Sequence, residues 1–398
     1  MNYILFDDSM RANLLPLVFI RPVADIRIGI LTIREKWEYY LKSKTFTLTE
    51  DYLSEKYPLN IEEDNFLINA SVIPTKELVD EILKLKNNQA LSGGEYIIAY
   101  KLKDVDFENF GDESMTNFEE IETDIKHIKL NNTWEIFQYN HQEIENDFKL
   151  ITKKRKSQPL PSSNRLIGNK DNLFIEEGAV IECSTINVNN GPVYIAKDAE
   201  IMEGSLIRGP FALCEHSQVK MGAKIYGATT VGPYSKVGGE LNNVVIFGYS
   251  NKAHDGFVGN SVIGEWCNIG ADSNTSNLKN TYDEVKLWNY FYETFVNTGL
   301  QFCGLIMGDY SKCGINTMFN TGTVVGVNSN IYGSGFHRNF IPSFSWGGNN
   351  GFKTYEIDKA IDVAKRVYER RNIEFTRTDE NILTYVFNIT HKIRRSNN

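Results

Sequence analysis

An aliphatic side chain returns every six residues through the centre of this chain. Ile195, Ile201, Ile207, Leu213, Val219, Ile225, Val231 and Val237 stand at steps of six. Ala199, Ser205, Ser217, Ala223, Thr229 and Ser235 place a small residue four positions after most of them. The beat restarts at Ile263 and Ile269, then returns at Met307, Cys313, Phe319, Val325 and Ile331. An α-helix needs a period of about 3.6 and an ordinary strand about 2, so neither explains it. A hexapeptide repeat is the mark of a parallel β-helix, whose coils stack into one continuous core. Three hexads close one triangular coil, with the aliphatic residues pointing inward and the small ones at the corners. The predicted β-helix spans residues 165–348. Its largest interruption, Asn274–Leu305, is rich in aromatics (Tyr282, Trp288, Tyr290, Phe291, Tyr292 and Phe295). Loops thrown from a solenoid gather on one face, often the binding face.

The flanks follow other rhythms. Residues 1–151 alternate strand and helix patterns, which predicts an α/β domain. Strands are expected at Tyr3–Phe6, Phe66–Ile68 and Tyr96–Tyr100, and helices over Lys76–Leu85 and Trp134–Leu150. Residues 152–164 are basic, rich in Pro and Ser and poor in apolar side chains, so they read as a linker. Residues 349–398 carry two helical stripes, Ile357, Ile361, Ala364, Val367, Tyr368 and Ile382, Leu383, Val386, Phe387, Ile393. They are expected to cap the solenoid.

Composition narrows the function classes. A formal net charge of −9 over 398 residues speaks against a nucleic-acid surface. The short run Lys153–Lys156 reads as a solvated linker. The five cysteines show no metal-ligand spacing and all fall in the repeat region, where buried free thiols act as filler; no metal site is expected. No apolar run is long enough for a membrane, and Asp7, Asp8 and Arg11 break the opening stretch, so a cytoplasmic protein is expected.

The chemistry concentrates in Gly248–Gly259, between two rhythmic blocks. Lys252, His254 and Asp255 are expected on a loop or coil edge there, and imidazole suits proton transfer near neutral pH. A surface histidine that only packs or bonds locally is the competing reading. His216, at a corner position, and His337, among glycines in a turn, read as structural.

Lys252-Ala-His254, with Val258-Gly259, Ile263-Gly264, Asn268-Ile269-Gly270-Ala271 and Asn277, resembles the acetyltransferase domain of the bifunctional N-acetylglucosamine-1-phosphate uridyltransferase/glucosamine-1-phosphate acetyltransferase family. The resemblance implies a nucleotidyltransferase-like α/β domain, a left-handed parallel β-helix and a homotrimer whose acyl-CoA groove lies between subunits. It implies His254 as general base on the substrate amine, and Asn268 and Asn277 as substrate-orienting groups. Phe257 stands where the family has tyrosine. A family phosphate-binding lysine is missing near Asn242 and Asn243, and Lys252 is the candidate to compensate. In the first domain, Arg11 and Arg21 match phosphate contacts, with Arg27, Arg34 and Lys36 adding charge. The family's glycines are absent from this loop, and Asp7-Asp8 would repel a triphosphate unless Mg²⁺ bridges them. The expected substrates are an acetyl-CoA or other acyl-CoA, a sugar phosphate and a nucleoside triphosphate. Two alternatives stay open: nucleotidyl transfer alone on a structural β-helix, and a non-catalytic sugar-nucleotide-binding scaffold.

Overall fold

The computed structural model describes residues 1–107 and 118–396. They pack as two units. The first comprises Met1–Leu14, Ile20–Ile26 and Leu31–Asn131; the second comprises Leu15–Phe19, Arg27–Ile30 and Asn132–Asn398.

The first unit is built on a six-stranded sheet in the order Phe46–Leu48, Asn2–Phe6, Asp64–Asn69, Ile97–Lys103, Gln89–Ser92 and Glu119–Glu122. The first three strands run parallel. Ile4 and Leu67 are fully buried on them, as apolar runs in a covered parallel sheet require, and Leu102 is buried beside them on the antiparallel fourth strand. Helices α1 (Ile33–Leu41), α2 (Lys76–Ile82) and the short α3 (Asp104–Phe107) accompany the sheet. Thr32 and Glu35 form a reciprocal capping box at the start of α1, and Thr75 caps α2.

The second unit contains the predicted parallel β-helix of about ten coils. Three inward columns build its core. One runs Ile175, Ile195, Leu213, Val231, Ile246, Ile263, Met307, Val325 and Ile341. A second runs Ile186, Ile207, Ile225, Leu241 and Val258. The third runs Ile181, Ile201, Val219, Val237, Lys252, Ile269, Cys313 and Ile331. Lys252 is the charged member of that last column. The expected gap between Val237 and Ile263 is therefore filled. Strands Glu240–Gly248, Asn251–Lys252 and Phe257–Glu265 continue the coil, and the six-residue beat slips because corners change length.

One corner carries a second signature. Asp198, His216, Tyr234, Tyr249, Trp266, Tyr310, Asn328 and Phe344 all have φ between 52° and 61°. Each stands three residues after an inward residue of the first column. A side chain in this region costs about 1–3 kcal/mol of backbone strain. Aromatic stacking offsets it: His216–Tyr234 (4.7 Å), Tyr234–Tyr249 (5.1 Å) and Tyr249–Trp266 (4.3 Å) form a ladder. His216 is exposed and stacked on Tyr234, not packed inside.

Helix α4 (Glu135–Thr152), which the sequence places at the end of the first domain, belongs to the second unit. Its buried Asn140 donates to the Ala228 carbonyl at 2.8 Å and accepts from the Thr230 hydroxyl at 3.2 Å. The predicted linker is tied to the first coils: Gln158 N–H donates to Ile175, and Asn164 bonds Ile181 and Ser184. After Ser345–Gly348 an antiparallel strand, Gly351–Thr354, precedes α5 (Ile357–Glu369), α6 (Arg377–Ile389) and α7 (His391–Ser396). Tyr368 of α5 stacks on Trp266 at 4.1 Å and shares a 2.7 Å hydroxyl hydrogen bond with Tyr310. Four cysteines are buried filler as expected, whereas Cys183 is exposed. Among the described residues no helix is long and apolar enough to cross a membrane.

His337, expected at a turn in a structural role, lies inside the fold. It is 1% exposed, and neither ring nitrogen has a hydrogen-bond partner. Burial pushes its pKa below the usual histidine range. The folded state thus disfavours the imidazolium, and stability present above the unfolded value of about 6.5 is lost as pH falls below it. A melting temperature that drops through this acid branch in the wild type, and drops less in His337→Phe, is the expected result. Superimposable acid branches would remove His337 from the account.

Candidate functional site

The third column places a set of polar residues on the outside of one β-helix face. Residues preceding each inward side chain point outward, so Lys236, Asn251, Asn268, Lys312 and Asn330 lie one above another. Beside this column a groove of about 700 Å³ is lined by His254, Asn268, Lys236 and Lys312, by Trp266 of the aromatic ladder, and by Arg370 and Arg371 just beyond α5. The structure thus brings His254 and Asn268 together. The aromatic-rich insertion contributes no lining residue to this groove among the described residues. Its hairpin, Lys286–Asn289 with Thr294–Asn297, instead stacks Trp288 on Phe340 at 4.3 Å.

The groove is strongly cationic. Burial first, then the charges of Lys220, Arg371 and Arg370, pull Lys236 below the usual lysine range. Burial and then Arg370 lower Arg371 in the same way. Burial brings Lys312 down to about 8 while its ammonium donates to the Tyr310 carbonyl at 2.7 Å. Cations held close enough to depress one another form a site for an anion. Sequence reasoning missed this set. Lys236 and Lys312 stand one position before inward residues, and Arg370-Arg371 follow the apolar stripe of α5.

His254 is exposed at the corner after Asn251–Lys252. Lys252 does not reach the groove. It is 1% exposed, and its ammonium donates to the carbonyls of Gly238 (3.2 Å), Asp255 (3.1 Å) and His254. Burial lowers its pKa to about 8. The three N–H groups are consumed by three carbonyls, so Lys252 cannot replace the missing phosphate lysine.

Phe257 and Asn277 meet on the next face, across Gly259. A Cβ at Gly259 would lie 2.5 Å from the Phe257 ring and 2.6 Å from the Asn277 amide nitrogen. That amide donates to Asn260 Oδ1 at 2.8 Å, and Asn243 and Asn260 precede Asn277 at steps of 17 residues. Asn277 is thus the last rung of an asparagine ladder, which holds its amide N–H in place.

In the first unit the polar residues gather beyond the carboxyl ends of Asn2–Phe6 and Asp64–Asn69, where open α/β sheets bind ligands. Arg11 is nearly buried, bonded to Asp7 at 3.0 Å and Tyr52 at 3.2 Å. Asp8 bonds Lys129 at 3.0 Å and Asn69 at 2.9 Å. Arg21 is 3% exposed. Arg34 is paired with Asp25 at 2.6 Å, Lys36 is buried, and Arg27 belongs to the second unit, where it donates to the Phe247 carbonyl at 3.1 Å. The positive charge expected around this loop is thus largely committed. So is the acidic pair: Asp7 also accepts from Val23 N–H and Thr49, and Asp8 from Met10 N–H. With their oxygens engaged by protein donors, Asp7 and Asp8 as arranged do not fit a magnesium ion, which needs free carboxylate oxygens. Burial nevertheless outweighs Arg11 and raises the Asp7 pKa. Lys129, also facing the Tyr96 ring at 5.2 Å, is the cation that sequence reasoning did not name here.

Residues 3–156 match the sugar nucleotidyl transferase family model. Over 144 residues the chain is 31% identical to a bifunctional sugar-1-phosphate nucleotidylyltransferase/acetyltransferase from Sulfurisphaera tokodaii, covering 36% of this chain and 35% of that protein. Over 90 residues it is 33% identical to the bifunctional protein GlmU of Methanococcus aeolicus, covering 23% of this chain and 21% of that one. The matched stretches therefore span about a third or less of those relatives. Among solved structures, the polySia specific acetyltransferase NeuO aligns with 53% of this chain and 99% of its own at 18% identity and a TM-score of 0.28. A UDP-N-acetylglucosamine acyltransferase aligns with 57% of this chain and 86% of its own at 10% identity and a TM-score of 0.23. Residues 3–156 are thus similar to sugar nucleotidyl transferases, and a parallel β-helix follows them.

Proposed function

We propose that the β-helix transfers an acyl group from an acyl-CoA to the amine of an amino-sugar phosphate in the His254 groove. The observation that carries this reading is one groove holding an exposed imidazole at one corner and a cluster of cations beside it. The cations suit the phosphates of CoA or of the sugar. His254 takes a proton from the attacking amine, nitrogen bonds to the thioester carbonyl carbon, the carbon–sulfur bond breaks, and the CoA thiolate leaves and takes up the proton. A thioester is already activated, so positioning and deprotonation supply most of what the site must do. Asn268 orients the acceptor from the neighbouring coil. Phe257 and Asn277, on the next face, complete the site from a neighbouring copy in a homotrimer. The enzyme would work in the cytoplasm, where CoA esters are available.

For the first unit we infer binding of a sugar phosphate or its nucleotide beyond the parallel strands, with Lys129, Arg11 and Arg21 as the cations nearest the phosphates. Nucleotidyl transfer there would require Asp7 and Asp8 to give up their present partners, so binding without transfer is the second reading. The committed state of those two carboxylates favours it.

Removing both arginines tests the groove. An arginine–phosphate contact contributes about 1.5–3 kcal/mol, so the double variant Arg370→Ala/Arg371→Ala should weaken acetyl-CoA binding at least roughly 10- to 100-fold. In a thermal-shift titration the wild type is stabilised by acetyl-CoA, the variant only at correspondingly higher concentrations. Equal titrations would place the donor elsewhere. No stabilisation of the wild type by any CoA ester would remove the acyl-transfer reading.

A further inference from the structure

We propose that Lys252 is a positioning residue that holds the His254 corner in its working shape from inside the β-helix. The inference rests on His254 being the base proposed above. Its own support is an irregularity in the coil. In this column the left-handed backbone position follows the inward residue by two or three residues at Cys183, Gly204, Gly222, Gly239, Asp272, Asn316 and Gly333. After Lys252 it comes four residues later, at Gly256 (φ 113°), so Ala253-His254-Asp255 form a bulged corner although the step to the next inward residue, Val258, is still six. A bulge turns carbonyls inward without strand partners. At this one coil the aliphatic side chain is replaced by a lysine whose ammonium meets the His254 and Asp255 carbonyls on the bulge and the Gly238 carbonyl one coil away.

The alternative ways of satisfying these groups are few. Asp255 carbonyl also accepts from Asp272 N–H, at 3.0 Å, but Lys252 is the side chain that joins the two bulge carbonyls to the coil before them. Gly256 is pressed against the following coil, since a Cβ there would lie 2.1 Å from the Ser273 carbonyl oxygen. The corner is thus pinned at its far end by backbone contact and at its near end by the lysine. The imidazole between them inherits its direction from both. The charges facing the ammonium are Asp255 and Asp272, with the Cys313 thiol two inward positions further along the column.

Lys252→Met keeps the length and apolar stem and removes the three donors. Ile331→Ala, in the same column but away from the groove, is the control for a simple loss of core stability. Because misplacing a reacting group by about 1 Å can cost about 100-fold, Lys252→Met should lower kcat for acyl transfer about 10- to 100-fold with both KM values nearly unchanged. Ile331→Ala should keep kcat even where it melts as early. Independently of activity, the His254 ring signal (assigned by its loss in His254→Gln) should be single in the wild type and broadened or doubled in Lys252→Met. Should Lys252→Met fail to fold, Lys252→Gln, which retains two donors, is read in the same way with a smaller effect. An unchanged His254 signal, or a kcat loss no greater than that of Ile331→Ala, overturns the proposal. A wild type that releases no CoA refutes the base assignment alone, and the histidine signal still decides whether Lys252 fixes the corner.

Discussion

His254→Ala is expected to lower kcat for acyl transfer by about 10²- to 10⁴-fold, the usual contribution of a positioned general base. The KM for acyl-CoA should change little, because the donor's phosphates are assigned to Lys236, Arg370 and Arg371 on other elements of the groove. Stability should also change little, since His254 is exposed and its backbone, not its ring, is held by Lys252. A His254→Ala protein with wild-type turnover would make the imidazole a bystander and leave the β-helix as scaffold.

Trp266→Ala should have the largest effect on stability. The indole is buried between Tyr249 at 4.3 Å and Tyr368 at 4.1 Å, so the ladder and α5 meet on it. Truncating such a residue costs about 3–5 kcal/mol, a large part of a typical folding free energy. The loss should also be local in a recognisable way. Tyr368 keeps its hydrogen bond to Tyr310 but loses its stacking face, so α5 should become more open to proteolysis. Arg370 and Arg371 follow α5 directly, and acyl-CoA affinity should fall with it. Trp266→Phe, which keeps part of the stack, should retain most of both properties. Urea unfolding of the two variants with limited proteolysis decides this; an unchanged midpoint and an intact C-terminal region in Trp266→Ala would contradict the bridging role.

The scaffold was legible because the β-helix repeats one solution many times. Ile201, Val219 and Val237 recur at equal spacing since each solves the same packing problem one coil apart. What the beat concealed is what it cannot count. The steps from Val237 to Leu241 and from Leu241 to Ile246 are shorter than six, so Lys252 joins the inward column off the beat, and a six-residue ruler then reports a gap instead of a coil. The aromatic ladder had its own signal, an aromatic or Asn/Asp three residues after each inward residue of one column. The asparagines at 243, 260 and 277 had another. In the site, His254 and Asn268 were readable from local motif, but Arg370 and Arg371 come from a helix about a hundred residues away in sequence. The packing of Tyr368 on Trp266 and its hydrogen bond to Tyr310 bring them to the groove. For Arg11 and Arg21, residue type pointed to phosphate, whereas burial and the Asp7 partner show how little charge is left over.

The most direct test of acyl transfer is acceptor-dependent release of CoA thiol by the wild-type protein, with acetyl-CoA and a panel of amino-sugar phosphates. Thiol release that requires both the CoA ester and one of the acceptors, and that disappears in His254→Ala, is the expected result. A folded wild-type protein that releases no thiol above the acceptor-free rate, with any acceptor or CoA ester tried, would contradict it.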